Sequence, residues 1–133
     1  MKKVDEARAG IARRSPDPQA RPVLVVEDDA GVRAFLVACL QRQGYRVIAA
    51  ATGEEALQLL AHEPALVAVL DLGLPGMDGF AVADELPPDV PVIIVTGDPI
   101  RAYAQAKGRT LNYQVLPKPV APELLEHAVA AAL

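Results

Sequence analysis

A single cysteine, two histidines and no hydrophobic run of membrane length each remove a class of function from this chain. Cys39 alone makes neither an intramolecular disulfide nor a zinc quartet. His62 and His127 fall on separate helical segments with no second ligand or nucleophile nearby in sequence, so both are expected at the surface. No stretch approaches the roughly 20 uncharged apolar residues of a membrane span, and the N-terminus lacks a signal peptide's apolar run. A soluble, cytoplasmic protein without membrane contact is expected. There is no internal repeat, and only the alanine-rich C-terminus is compositionally biased.

What is present is enough for one domain: 133 residues, of which 52% are apolar. Charge is uneven along it. Residues 1–21 carry six basic side chains against three acidic ones, whereas residues 22–133 carry seven basic against fourteen acidic. The acidic globule argues against direct nucleic-acid binding. The basic leader reads as a flexible tail, which gives a tail over 1–21 and a domain over 22–133. No further domain is expected after Leu133.

Within 22–133, apolar runs of strand length alternate with helical patterns. Val23–Val26, Tyr45–Ala49, Leu66–Leu70, Val90–Val95 and Tyr113–Leu116 are nearly continuous in Val, Leu and Ile, as strands buried on both faces of a parallel sheet are. Val32, Phe35, Leu36, Cys39 and Leu40 form the stripe of a first helix facing the core. Thr52 and Glu55 make a capping box for the second helix, and Asp78 caps a short third helix that Pro87–Pro88 ends. Asp98–Pro99 opens the fourth, Gly108 closes it, and Pro122 opens a fifth that runs to about Ala131. Five βα units predict an α/β doubly wound parallel sheet with right-handed crossovers and helices on both faces.

In such sheets, ligands bind beyond the carboxyl ends of the strands. The first strand ends in Glu27, Asp28 and Asp29, the third in Asp71, the fourth in Thr96 and the fifth at Lys118. Converging carboxylates repel by roughly 4 kcal/mol per pair at 4 Å and an effective dielectric of 20, so a cation or a proton belongs among them. Carboxylates with a carbonyl and waters suit Mg²⁺, whose octahedron is commonly completed by phosphate oxygens. Asp71 is then placed as a nucleophile toward phosphorus, with Lys118 neutralising the equatorial oxygens and Thr96 donating its hydroxyl. Asp28 or Asp29 would serve as a helix cap, as would Asp98.

The segments VLVVEDD (23–29), VLDLGLPGMDGF (69–80), PVIIVTG (91–97) and LPKP (116–119) resemble, in order, the four signature segments of response-regulator receiver domains, CheY-like switches of two-component signalling. The resemblance covers 22 to about 131. It implies the flavodoxin-like strand order 2-1-3-4-5, Asp71 as phosphoacceptor, and Mg²⁺ held by Glu27, Asp28, Asp71 and the Gly73 carbonyl. It implies phosphoryl-binding and switch roles for Thr96, Gly97 and Lys118, and a cis bond from Lys118 to Pro119. It also implies a sensor histidine kinase or histidine phosphotransfer protein as donor. The output would be a downstream protein met through the face of the fourth helix, fifth strand and fifth helix, by a monomer or a phosphorylation-dependent dimer. The chain would be a switch, not a turnover enzyme. One position departs from the pattern: where the family often has a switching aromatic, this chain has Val115, leaving Tyr113 as an imperfect substitute two residues earlier.

A haloacid-dehalogenase-type phosphohydrolase would want an acid two residues past the nucleophile, where Gly73 stands. A flavodoxin-like FMN site would want a hydroxyl- and glycine-rich loop after the first strand, where EDD stands.

Overall fold

The computed structural model describes residues 20–107 and 113–133; residues 1–19 of the basic tail and Gly108 lie outside them. Strands β1 (Val23–Val26), β2 (Val47–Ala50), β3 (Val67–Asp71), β4 (Val92–Thr96) and β5 (Tyr113–Pro117) alternate with helices α1 (Ala30–Arg42), α2 (Gly53–Leu60), α3 (Gly79–Asp84), α4 (Pro99–Ala106) and α5 (Pro122–Ala132). All four strand pairings are parallel, in the order β2-β1-β3-β4-β5. The doubly wound α/β architecture and its strand order therefore stand as expected.

The pleat divides the core in two, because alternate residues of each strand face opposite sides. Leu24, Val26, Ala68, Leu70, Val92 and Ile94 pack against α2, α3 and α4 through Ala56, Phe80, Val82, Ala83 and Ala102. Val23, Val25, Val67, Val69, Ile93 and Val95 pack against α1 and α5 through Leu36, Leu40, Leu125 and Val129. Val23 to Val26, Val67 to Leu70 and Ile93 to Val95 are fully buried, which is why their sequence is continuously apolar.

The helix starts follow their caps. Thr52 Oγ1 accepts from the Glu55 N–H at 3.1 Å, and Glu55 reaches back to the Ala51 N–H at 2.9 Å. Asp78 and Asp98 accept from Ala81 and Arg101 at 2.9 and 3.1 Å. Pro122 opens α5 without any side-chain cap. Cys39, Leu36 and Leu40 are buried as the stripe predicts, but Phe35 is 42% exposed. It sits at the edge of the stripe, one residue and about 100° around the helix from the buried Leu36. His62 and His127 are exposed. Among the described residues, no helix is long and apolar enough to cross a membrane.

Candidate functional site

Strand pairing carries the polar residues to one edge. Asp71 is the last residue of β3 and pairs with Val95; Thr96 ends β4 and pairs with Pro117. The Lys118 N–H then donates to the Thr96 carbonyl at 2.8 Å, and the Glu27 N–H to the Ala50 carbonyl at 3.1 Å. Ladder bonds thus fix the backbone on which each chemical group stands.

At that edge, carboxylate oxygens of Glu27, Asp28 and Asp71 all lie within 4.8 Å of one another. Lys118 Nζ stands 2.9 Å from Glu27 Oε1 and 3.2 Å from Asp71 Oδ1. Glu27 and Asp71 are buried, whereas Asp28 is exposed and forms the wet side of the cluster. Burial pushes the Glu27 carboxyl above its ordinary range, and Asp71 adds to this; Lys118 and the Asp29 N–H pull the other way without cancelling it. Burial works against the Lys118 ammonium too, but Glu27 and Asp71 outweigh it and hold the lysine above its ordinary value. Lys118 is a firm cation here.

The two neighbouring aspartates divide their work. Asp29 Oδ1 accepts from the Val32 N–H at 2.9 Å and caps α1, while its own N–H donates to Glu27 Oε2 at 3.1 Å. Asp28 is left facing the cluster. Glu27 Oε1 is buried and takes no aligned hydrogen bond; the Lys118 ammonium is an ion-pair neighbour, off hydrogen-bond alignment. A buried carboxylate oxygen in that state, with two further carboxylates within reach, is a hard-oxygen set of the kind Mg²⁺ takes. The residues fit that ion.

The remaining expected positions surround the acids. The Gly73 N–H donates to Asp71 Oδ1 at 3.3 Å, and a side chain at Gly73 or Gly97 would meet only open space. Thr96 is buried, and its Oγ1 accepts from the Asp98 N–H at 2.9 Å, leaving its hydroxyl hydrogen to give. The Lys118–Pro119 bond is cis. Val115 pairs with Ile94 beside Thr96, whereas Tyr113 pairs with Val92, and its ring meets Phe80 edge-on at a centroid distance of 6.2 Å. Tyr113 and Thr96 are thus separated by the length of β4, roughly 13 Å at 3.3 Å per residue.

Two features had no signal in a reading of strand ends. Arg33, in the first turn of α1, donates Nη1 to the Glu27 carbonyl at 2.9 Å and approaches the Asp28 carbonyl at 3.4 Å. Gly79 opens α3 so close to β3 that a Cβ would lie 2.6 Å from the Asp71 carbonyl oxygen. Beside the acids, Gly31, Val32, Phe35, Lys118, Pro119 and Val120 line an apolar groove of about 550 Å³.

Known proteins resemble this chain in sequence and in fold. The family described as the response regulator receiver domain matches residues 23–130. A probable transcriptional regulator, ycf27, of Porphyridium aerugineum is 35% identical over 122 residues, covering 86% of this chain and 49% of that protein. The transcriptional regulatory protein AfsQ1 of Streptomyces coelicolor is 36% identical over 115 residues, covering 84% and 50%. The chain spans about half the length of these relatives. Among solved structures, the signal receiver domain of an HD domain-containing protein from Pseudomonas fluorescens superposes with a TM-score of 0.77 at 29% identity, covering 85% of this chain and 94% of that one. The chemotaxis protein CheY4 of Vibrio cholerae gives 0.76 at 27% identity, covering 86% and 100%.

Proposed function

The chain belongs to the response regulator receiver domain family of two-component signalling, and from that premise we propose that it is a phosphorylation switch whose acceptor is Asp71. The observation that carries this reading is the placement of Lys118 Nζ within 2.9 and 3.2 Å of Glu27 and Asp71, beside a third carboxylate.

Asp71 Oδ attacks the phosphorus of a phosphohistidine, the donor's phosphorus–nitrogen bond breaks, and the leaving imidazole keeps or takes up a proton. A carboxylate nucleophile carries no proton for a general base to remove. Lys118 neutralises charge on the phosphoryl oxygens, Thr96 donates its hydroxyl, and Gly97 leaves the space open. Glu27, Asp28, Asp71 and the Gly73 carbonyl would hold Mg²⁺, which when bound shields the carboxylates and the phosphoryl oxygens from one another.

The donor is a sensor histidine kinase or a histidine phosphotransfer protein. The apolar groove beside Lys118, with Phe35 exposed on its rim, suits a protein that brings its histidine to Asp71. Output leaves through the α4–β5–α5 face, where Ile100, Tyr103 and Leu124 stand exposed, to a downstream protein or a second phosphorylated copy. The domain does not turn over external substrates, touches no nucleic acid itself, and works in the cytoplasm.

Incubation with Mg²⁺ and a small phosphodonor, followed by intact mass, tests the proposal. One phosphoryl group is expected on the wild type and none on Asp71→Asn or in excess chelator. Uptake by Asp71→Asn equal to the wild type overturns it.

A further inference from the structure

We infer that Arg33 is a positioning residue for the metal-binding acids, acting through their backbone and not through its charge. The inference rests on the reading of Glu27 and Asp28 as Mg²⁺ ligands.

Arg33 lies one turn into α1, and its side chain runs back toward the helix start, as helical side chains lean. Nη1 donates to the Glu27 carbonyl at 2.9 Å and approaches the Asp28 carbonyl at 3.4 Å. Those carbonyls belong to the peptide groups on either side of Asp28, so one guanidinium nitrogen restrains the backbone through that residue. The restraint matters because of what Asp28 lacks. Glu27 is held by burial, Lys118 and the Asp29 N–H, and Asp29 by capping α1. Asp28 is exposed, and among the described residues no donor holds its carboxylate. Among the described residues, what places that carboxylate is its backbone, and Arg33 restrains that backbone from the helix side.

Charge and geometry make opposite predictions for this residue. A guanidinium beside a cation site repels the cation, so if only the charge acted, removing Arg33 would tighten Mg²⁺ binding. If it aims Asp28, removing it weakens Mg²⁺ binding, in the way that partners outside a ligand set tune the ligands within it. Lysine keeps the charge and one flexible contact but loses the planar fork.

The test is calorimetric titration of Mg²⁺ into the unphosphorylated full chain, as wild type, Arg33→Ala and Arg33→Lys, well below each melting temperature. The expected result is a Kd for Arg33→Ala raised about 10-fold, with Arg33→Lys between it and the wild type. With Mg²⁺ raised to saturation, the phosphorylation rate of Arg33→Ala is expected to return to near the wild-type value, separating lost affinity from lost chemistry. A Kd for Arg33→Ala that is unchanged or tighter, with the wild type binding normally, overturns the inference alone. Absence of Mg²⁺ binding by the wild type overturns both the inference and the metal reading beneath it.

Discussion

Lys118 Nζ, on a partly exposed side chain, neutralises Glu27 Oε1 at 2.9 Å, on a side chain that is 1% exposed. The pair joins the end of β5 to the end of β1 and favours the ionised carboxylate where burial opposes it. Lys118→Met leaves that carboxylate without its cation and should cost about 2 kcal/mol near neutral pH, less than a fully buried pair because the lysine is partly exposed. The folded Glu27 pKa is raised, so its share of stability is complete below the ordinary carboxylate range and is lost as pH rises through the raised value. Removing Lys118 raises that value further. The deficit of Lys118→Met, measured by urea unfolding, should shrink as pH is lowered from neutral toward about 5.

Three glycines near the acceptor should separate cleanly. Gly79→Ala drives a Cβ against the Asp71 carbonyl oxygen, 2.6 Å away, and should destabilise by about 1–3 kcal/mol. Gly73→Ala and Gly97→Ala meet open space and have no left-handed backbone to strain, so each should change stability by no more than about 0.5 kcal/mol. Thermal melts of the three variants check the ordering.

Tyr113 packs its ring edge-on against the buried Phe80, far along the sheet from Thr96. Tyr113→Leu should therefore lower stability by about 1 kcal/mol while leaving phosphoryl uptake at Asp71 unchanged. A large fall in uptake without a fall in stability would instead make Tyr113 part of the switch.

Burial holds the Cys39 thiol above its ordinary pKa and away from reagents. Labelling by a disulfide reagent at neutral pH should be about 100-fold slower in the native protein than in urea.

The fold was legible because its strands are apolar on both faces and four of its five helices carry side-chain caps; the starts of the strands were less so. The third strand reads as ending in Asp71 and the fourth in Thr96, and both are paired through their backbones as the final residues of β3 and β4. The apolar run predicts that β2 starts at Tyr45, but the Tyr45 N–H closes the end of α1 on the Leu40 carbonyl, next to Gly44 with its left-handed φ of 92°. The acids, Thr96 and Lys118 were legible as a group because each follows an apolar run. Arg33 and Gly79 were not, because one acts through a carbonyl contact five to six residues away and the other through the absence of a side chain. Which aspartate caps α1 was equally open in sequence, since Asp28 and Asp29 are adjacent and only the helix register separates them.

The most direct measurement locates the phosphoryl group. After phosphorylation of the wild type with a small donor and Mg²⁺, borohydride reduces an aspartyl phosphate to homoserine, and tandem mass spectrometry of the digest finds where. Homoserine at position 71 alone is the expected result. Reduction at Asp28 or Asp29, or a phosphoryl group retained on His62 or His127, would contradict it.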